Sequence, residues 1–216
     1  MRRNPFAKFL VALLALGLAA AGVVVFPHTP PGLAWEADRL ARLLEIKPGM
    51  TIAELGAGGG HMAVRMAERV GWQGRVFATE VSAGQRHKIL KSIAAADVEN
   101  VTVVQALDDS ANLPAGCCDV VFMRNVYHHL TSPAAINASI LESLRPGGQV
   151  AVIDFAPSRW QFWLRDVAGT PRAGGGHGVT PEQVIEGLTA AGFELTERRD
   201  DWSLTGFLVV ARKSGR

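Results

Sequence analysis

The chain has 216 residues, of which 48% are hydrophobic and 19% are charged, a composition that argues against intrinsic disorder and fits one α/β domain with an N-terminal extension. The formal net charge of +2 gives no electrostatic reason to expect nucleic acid as a partner. The two cysteines are adjacent in the chain, so we expect neither a disulfide framework nor a metal site.

The first thirty residues differ in composition from everything that follows. Arg2, Arg3 and Lys8 precede an uncharged apolar run over 9–26, which prolines then break. Eighteen apolar residues are just long enough to span a bilayer, so we predict a membrane anchor within 1–30 and a globular domain over 31–216. A cleaved signal peptide is the alternative. Basic residues before the run would keep that side in the cytoplasm and export the domain.

A glycine-rich turn follows the first predicted strand. Residues 52–55 form an apolar run that stops at the glycines of 56–60, and residues 61–70 then show an apolar helical face. Glycine lets a ligand approach the backbone closely, and the first N–H groups of the helix attract an anionic ligand group. The arrangement therefore predicts a nucleotide-sized binding site, with a purely structural turn as the alternative.

The remaining chain alternates between apolar runs and amphipathic stretches. Helices are predicted at 35–44, 61–70, 84–96, 133–144 and 181–191, and strands at 52–55, 75–80, 101–106, 119–123, 149–155, 193–198 and 207–211. Thr180 is the expected N-cap of the last helix, with Gln183 as its capping-box partner. This pattern predicts an α/β fold with a seven-stranded, mostly parallel sheet, helices on both faces and an antiparallel pair at the C-terminal edge.

Polar residues fall where several of these strands end. Glu80 closes the second strand about twenty residues after the glycine turn, where an acid can accept hydrogen bonds from a ribose. Asp109 follows the third strand, and Asn125 follows the fourth. Ligands of parallel sheets bind at the carboxyl ends of the strands, so we expect a binding site at this edge.

Several motifs, in this order along the chain, resemble those of the class I S-adenosylmethionine-dependent methyltransferases that act on small molecules. They are 54–60, Glu80, 109–114, 118–129, 144–148 and 179–193. The resemblance covers about 33–212 and implies a Rossmann-like fold. The apolar N-terminal segment lies outside it, and its composition predicts an additional hydrophobic helix. The resemblance also implies S-adenosyl-L-methionine as the cofactor. Asp108 stands where the family has a small residue, which leaves open whether Asp108 or Asp109 faces the adenine.

The resemblance implies a role for each residue that matches a family motif. The implied cofactor-binding residues are Glu54, Gly56, Ala57, Gly58, Gly60, Glu80, Asp108, Asp109, Arg124 and Asn125. The turn would line the methionine portion and the ribose, and Glu54 would lie near the amino group. Glu80 would hold the ribose hydroxyls, and Arg124 with Asn125 would border the methionine portion and the substrate mouth.

Methyl transfer is an in-line displacement, so alignment supplies most of the catalysis, and a base is required only if the acceptor arrives protonated. His128, just after the fourth strand, is the candidate base. His129 is better explained by packing or by starting a helix, and His177 by its place in a glycine-rich loop. The aromatic residues at 160–163 fit a pocket cap, a membrane contact or ordinary packing equally well.

Two other functions compete with the methyltransferase interpretation. A nicotinamide dehydrogenase would require a third glycine at position 61, which is His61. A non-catalytic S-adenosylmethionine-binding protein is the stronger rival, because the motifs describe a cofactor pocket better than a reaction. We expect a membrane-anchored enzyme with a small, apolar or membrane-proximal acceptor. The side of the membrane stays open, since the cofactor is cytoplasmic while the basic residues predict export.

Overall fold

A computed structural model describes residues 30–157, 178–203 and 205–215. The predicted membrane anchor, the aromatic residues at 160–163 and His177 lie outside the described residues. In the described ranges, no helix has both the length and the apolar character that a bilayer span requires.

The strands form a seven-stranded sheet in the order β3-β2-β1-β4-β5-β7-β6. Their bounds are β1 Thr51–Leu55, β2 Arg75–Glu80, β3 Val101–Gln105, β4 Cys118–Arg124, β5 Leu144–Phe155, β6 Phe193–Arg199 and β7 Gly206–Lys213. Strands β1 to β5 pair in parallel, and β7 is antiparallel to both of its neighbours. The predicted mostly parallel sheet with its antiparallel pair is confirmed. Because β7 lies between β5 and β6, the last strand in sequence is not the last in the sheet.

Helices cover both faces of the sheet, as predicted. They are α1 Pro30–Leu43, α2 His61–Val70, α3 Ala83–Ala96, α4 Pro133–Ser143 and α5 Pro181–Ala190, with a short 3-10 helix at Tyr127–His129. Helices α1 to α3 bury Leu40, Met66 and Ile89 in the core on one face. Helices α4 and α5 bury Ile140 and Leu188 in the core on the other.

Local sequence signals explain most element boundaries. Thr180 accepts a hydrogen bond from the backbone N–H of Gln183, and the Gln183 side chain accepts one from the Thr180 N–H, which confirms the predicted capping box. Helix α1 begins earlier than predicted, at Pro30, since proline is tolerated in a first helical turn. Strand β5 also begins earlier, because Leu144 already pairs with Cys118 ahead of an irregularity in the register.

Candidate active site

The strand register brings the predicted site residues to one edge of the sheet. Leu55 lies opposite Thr79 on β2 and Met123 on β4, and Arg124 lies opposite Ile153 on β5. Neighbouring strands are about 4.8 Å apart. The residues that follow β1, β2, β4 and β5 therefore lie side by side, which is the arrangement that the sequence predicts.

The glycine turn takes a backbone conformation that requires glycine. Gly56, Gly58 and Gly60 have φ angles of 66°, 56° and 80°. A Cβ on Gly56 would lie 2.4 Å from a methyl group of Val126, whereas a Cβ on Gly58 would meet nothing within 4 Å. The N–H of Ala57 donates to the Thr79 carbonyl at 3.0 Å and holds the turn against β2. The turn is thus tightly packed at Gly56 and open at Gly58.

Glu80 ties the end of β2 to the glycine turn. Its Oε2 accepts the N–H of Gly58 at 3.1 Å, and its Oε1 accepts the N–H of Ser82 at 3.1 Å. Each carboxylate oxygen has a further lone pair with which to accept a hydrogen bond from a ligand hydroxyl. Glu80 is therefore held in place by the backbone and still able to bind a ligand.

Glu54 is a buried acid with an unused oxygen. Its side chain lies at the end of β1, the residue is 4% exposed, and its Oε2 has no hydrogen-bond partner. Loss of water on burial raises the pKa of this carboxyl to about 8. A backbone hydrogen bond with Ala63 and the charge of Arg124 oppose the rise, and the charge of Glu80 adds to it. A cation bound at Oε2 would relieve the burial cost.

Arg124, the last residue of β4, is bound by a residue far away in sequence. Its Nε donates to Oε2 of Glu36 on α1 at 2.6 Å, and the indole N–H of Trp202 donates to the other oxygen, Oε1, at 2.8 Å. The next residue, Asn125, has a φ of 54° and donates its N–H to the Ile153 carbonyl at 2.8 Å. Asparagine accepts this left-handed conformation more readily than most residues.

Asp108 and Asp109 follow β3 at the same edge, and both are exposed. The structure therefore does not single out either carboxylate for the adenine. Two exposed apolar side chains lie nearby in sequence, Val81 after Glu80 and Leu107 before Asp108, at 57% and 45% exposure. A flat ligand ring lying across the ends of β2 and β3 would cover them.

His128 forms a buried pair with Asp154. The distance between His128 Nδ1 and Asp154 Oδ1 is 2.7 Å, and Oδ2 accepts the backbone N–H of His128 at 3.2 Å. Because an ionised carboxylate accepts hydrogen bonds, this contact places a proton on Nδ1 and leaves Nε2 as the nitrogen that does not contact Asp154. The Phe155 ring packs edge-on at 4.7 Å between ring centroids. The contacts with Asp154 and Phe155 thus fix the orientation of the His128 ring.

His129 lies beside this pair, with its ring tilted by 43° to that of His128. Its ring centroid lies 3.9 Å from that of His128. Burial, and then the charge of His128, lower the pKa of His129, while Asp154 raises it. His129 is exposed, and its lowered pKa keeps it neutral at neutral pH.

A cavity of about 770 Å³ lies between α4 and α5, with Tyr127 and His128 in its wall. Small or apolar residues form much of the remaining wall: Leu130, Ala134, Ala138, Gly187 and Ala190. The Tyr127 hydroxyl accepts a hydrogen bond from the Asn137 amide at 2.9 Å. A Cβ on Gly187 would lie 2.3 Å from that hydroxyl, so the close packing of α5 against the 3-10 helix depends on a glycine there.

The two groups of polar residues belong to opposite faces of the sheet. Side chains alternate along a strand, and Ile52, Phe122 and Ile153 belong to the core under α1 to α3. By this alternation Glu54 and Arg124 point to the α1–α3 face, whereas Asp154 points to the α4–α5 face. Contacts agree, since Arg124 reaches α1 and His128 lines the cavity between α4 and α5.

Three residues of this edge were missed by the sequence reasoning: Glu36, Asp154 and Trp202. Asp154 is the only charged residue of the apolar run 150–155, a signal that could have marked it. Glu36 and Trp202 carry no local signal, because they meet Arg124 only in the folded chain.

Comparison with known proteins decides the family. Residues 33–198 match the family model described as a methyltransferase domain. The chain belongs to this methyltransferase family. The membership confirms the predicted class, the S-adenosylmethionine-dependent methyltransferases, and with it the predicted cofactor. The match gives no support to the nicotinamide alternative.

Two curated relatives are similar to part of this methyltransferase. A ubiquinone/menaquinone biosynthesis C-methyltransferase (UbiE) of Shewanella pealeana is 29% identical over 115 residues, which are 51% of this chain and 44% of the relative. A 27-O-demethylrifamycin SV methyltransferase of Amycolatopsis mediterranei is 30% identical over 121 residues, 55% of this chain and 43% of the relative. The chain thus matches less than half the length of each.

Solved structures show the same fold. A SAM-dependent methyltransferase from Aquifex aeolicus superposes with a TM-score of 0.70 at 20% identity, covering 82% of this chain and 89% of that one. The [4+2]-cyclase SpnF superposes with a TM-score of 0.69 at 18% identity, covering 84% and 81%. The second protein is a cyclase rather than a methyltransferase by name, so the fold alone does not identify the reaction.

The residues at this edge fit S-adenosylmethionine. The cofactor carries an ammonium and a sulfonium charge, and Glu54 offers a buried oxygen without a partner. The open face of Gly58 leaves its backbone accessible, and Glu80 keeps lone pairs for the ribose hydroxyls. The individual contacts of these residues with the cofactor stay predictions.

Proposed function

We propose that this methyltransferase moves the methyl group of S-adenosylmethionine to a small, largely apolar acceptor whose proton is taken by His128. The observation that carries the proposal is the 2.7 Å contact between His128 and Asp154, next to a cavity and at the same sheet edge as the glycine turn. A buried histidine that pairs with a carboxylate through one ring nitrogen is suited to general-base catalysis through the other.

The bound cofactor would supply an electrophilic methyl carbon on a positively charged sulfur. The chain supplies the rest. Glu54 binds the amino cation of the cofactor, and Glu80 accepts hydrogen bonds from the ribose hydroxyls. The glycine turn sets how closely the cofactor approaches the backbone. Asp154 holds the Nδ1 proton, so that Nε2 of His128 accepts the acceptor's proton as the bond to the methyl carbon forms. The bound cofactor would keep the electron pair of the broken sulfur–carbon bond as a neutral thioether, so no residue of this chain has to protonate a leaving group.

Two observations support an apolar small-molecule acceptor. Around His128 the cavity wall consists mainly of alanine, glycine, leucine, valine and proline residues, with Gln183 and Glu186 as its polar members on α5. The relatives are named for ubiquinone/menaquinone biosynthesis and for 27-O-demethylrifamycin SV, both of which involve small molecules. The named reactions cover methylation at carbon and at oxygen, and a base on the acceptor side serves either.

The test is transfer of a labelled methyl group. Purified protein and methyl-labelled S-adenosylmethionine are incubated with separate lipid, quinone and polar small-molecule fractions of a cell extract. We expect label in an apolar fraction, and loss of the labelling with His128→Gln. If the protein binds S-adenosylhomocysteine and no fraction is labelled, the non-catalytic cofactor-binding alternative replaces this proposal.

We also propose that residues 9–26 tether the domain to a membrane, with the domain on the cytoplasmic side where the cofactor is made. The early turns of α1 support the tether, since Glu36 reaches Arg124 at the site edge and Trp35 beside it is 56% exposed. Tryptophan is favoured at membrane interfaces. An anchor that precedes α1 would bring the site edge close to the bilayer.

Protease treatment of spheroplasts tests the tether and its orientation. We expect the protein in the membrane fraction and the domain protected from external protease until the cells are lysed. Digestion from outside would contradict the cytoplasmic placement and support the orientation that Arg2 and Arg3 predict. Recovery in the soluble fraction would contradict the tether itself.

A further inference from the structure

A tyrosine and an asparagine form a polar pair beside the cavity between α4 and α5. Tyr127 belongs to the 3-10 helix, is 6% exposed and lies in the cavity wall. Asn137 on α4 is fully buried, and its Nδ2 donates to the Tyr127 hydroxyl at 2.9 Å. Asn137 shares the buried face of α4 with Ile136 and Ile140. Burying an amide among apolar side chains is unfavourable unless its hydrogen bonds are made, so the pair calls for an explanation.

The hydrogen bonds of this pair are incomplete. A tyrosine hydroxyl has one proton to donate and lone pairs to accept with, and the contact with Asn137 uses a lone pair. Oδ1 of Asn137 is buried and has no partner in the part of the chain that the structure describes. Burial raises the pKa of Tyr127 more than the hydrogen bond from Asn137 lowers it, so the hydroxyl keeps its proton at neutral pH. The contact with Asn137 therefore leaves the hydroxyl proton available to a ligand.

Helix α5 passes close to this hydroxyl at a glycine. A Cβ on Gly187 would collide with the Tyr127 hydroxyl and would lie 3.2 Å from Nδ2 of Asn137. Glycine is unfavourable in the middle of a helix, so its presence here fits a close approach. Gly187 also lies in the cavity wall. The hydroxyl is therefore next to a wall residue that has no side chain to cover it.

We propose that Tyr127 is a specificity-determining residue, whose hydroxyl donates a hydrogen bond to a carbonyl oxygen of the methyl acceptor. The inference rests on the proposed function in one respect, that the acceptor occupies the cavity beside His128. It narrows the acceptor from a largely apolar small molecule to an apolar molecule that carries a carbonyl group. A carbonyl oxygen only accepts hydrogen bonds, so it suits a donor placed in a mainly apolar wall.

The experiment compares two bicyclic probes of nearly the same shape. The ketone α-tetralone carries a carbonyl oxygen, and the hydrocarbon tetralin carries none. Calorimetric titration of the full chain gives a dissociation constant for each probe, and their ratio measures the preference for the carbonyl. Tyr127→Phe removes only the hydroxyl, and we expect it to lower this preference by about fivefold to tenfold, the usual effect of one hydrogen bond. A change that merely loosened the cavity would weaken both probes and leave the ratio unchanged.

The composition of the chain provides a second readout. Tyr127 is the single tyrosine of the sequence, so isotope labelling of tyrosine at Cζ gives one NMR signal that reports on this hydroxyl. We expect α-tetralone to shift the signal and tetralin to shift it much less, because only the ketone can accept the hydroxyl proton. This measurement uses the unmodified protein, so it tests the inference even if Tyr127→Phe does not fold. Equal shifts with the two probes would contradict the inference.

Ser143→Ala is the matched control. It also removes a buried hydroxyl, one that donates to the Ile140 carbonyl within α4, and Ser143 is not part of the cavity wall. We expect this variant to keep the preference of the unmodified protein for the ketone. A loss of preference equal to that of Tyr127→Phe would contradict the inference, because the ratio would then report the packing of α4.

The remaining outcomes separate the inference from the proposed function. If the unmodified protein binds neither probe, the proposed acceptor cavity fails and the inference fails with it. If both probes bind and their ratio in Tyr127→Phe stays within about twofold of that in the unmodified protein, the role of Tyr127 alone is wrong. A loss of preference confined to Tyr127→Phe, together with a signal shift specific to the ketone, supports the inference.

Discussion

The two sides of the site edge are built differently. The α1–α3 face holds the glycine turn and the acids Glu54 and Glu80, and Oε2 of Glu54 has no hydrogen-bond partner there. We call this face the donor side, because the methyl donor is proposed to bind to it. On the α4–α5 face, the acceptor side consists of the His128–Asp154 pair and a cavity with an apolar wall. The donor side is prepared for a charged ligand, and the acceptor side for an apolar ligand that loses a proton.

The difference shows how each half obtains its geometry. The donor side uses backbone groups of a short contiguous turn, which the fold fixes in one conformation. The acceptor side uses side chains from separate elements, His128 after β4 and Asp154 at the end of β5, which meet only when β4 and β5 pair. Variants of the two sides should therefore affect different steps of the reaction.

Removing the carboxylate of the acceptor side should have the largest effect on catalysis. Asp154→Asn no longer fixes the Nδ1 proton of His128, and we expect the rate constant for methyl transfer to fall by at least about 100-fold. S-adenosylhomocysteine should bind as before, because Asp154 lies on the other face. The measurement is single-turnover transfer of a labelled methyl group, with melting temperature as the check on folding. An equal loss of cofactor affinity would contradict the separation of the two sides.

Substituting alanine for a glycine of the turn should separate the residues that the fold requires from those that the cofactor requires. Gly56→Ala would meet Val126 and adopt a strained φ, so we expect a loss of about 1–3 kcal/mol in the free energy of unfolding. Gly58→Ala has free space around its Cβ, and only the strain of about 1 kcal/mol applies. Cofactor affinity should nevertheless fall in Gly58→Ala, because the new methyl covers an open backbone. Chemical denaturation and calorimetric titration measure the two effects; unchanged binding in Gly58→Ala would remove that position from the cofactor site.

Filling the cavity should disturb the acceptor side alone. Ala138→Leu adds bulk to the exposed wall beside α5, and we expect the KM for the acceptor to rise by about tenfold with little change in cofactor binding. Steady-state kinetics with the acceptor identified by labelling provide the measurement. Ala95→Leu, at an exposed position of α3 on the opposite face, is the matched control. An unchanged acceptor KM in Ala138→Leu would place the acceptor outside this cavity.

The smallest effect is expected at the cap of α5. Thr180→Ala removes the side-chain acceptor for the Gln183 N–H and should cost about 1 kcal/mol of the free energy of unfolding. Urea denaturation measures the loss. We expect the acceptor KM to change slightly, since α5 forms one wall of the cavity, and the cofactor affinity to stay constant. A loss of cofactor affinity would mean that the two faces are coupled through α5.

Much of the donor side could be predicted from sequence. Its signals are local: glycines in a short turn, an acid before the turn and another at the end of the next strand. The predicted bounds of α2 and β2 match the structure, and the register places Gly56, Glu80 and Arg124 at one edge as expected. Residue identities and spacing were sufficient to predict this side, because residues close together in the sequence form it.

The rest depends on contacts between distant parts of the chain. His128 was singled out from its place after β4, but its partner Asp154 was read only as part of a strand. Glu36 and Trp202 are separated by 166 positions and share a hydrogen bond, which no spacing rule foresees. The insertion of β7 between β5 and β6, which brings Trp202 to the site edge, likewise follows from sheet pairing rather than from local pattern.

The central claim, that Glu54 and the glycine turn form the cation-binding part of a cofactor site, is tested most directly by the pH dependence of cofactor affinity. Burial raises the pKa of Glu54 to about 8. At a pH between the ordinary pKa of a glutamate and this raised value, the carboxyl group is therefore protonated in the folded protein and ionised in the unfolded chain. Without cofactor, this contribution makes stability fall as the pH rises through that window. Cofactor affinity should change in the opposite direction, because the cation requires the ionised carboxylate.

Calorimetric titration with S-adenosylhomocysteine, whose amino group provides the cation, at about pH 6.5 and about pH 8.5 measures this dependence. We predict tighter binding at the higher pH for the unmodified protein, and weaker binding with a markedly smaller pH dependence for Glu54→Gln. Equal affinities of the two proteins at both pH values would contradict the account.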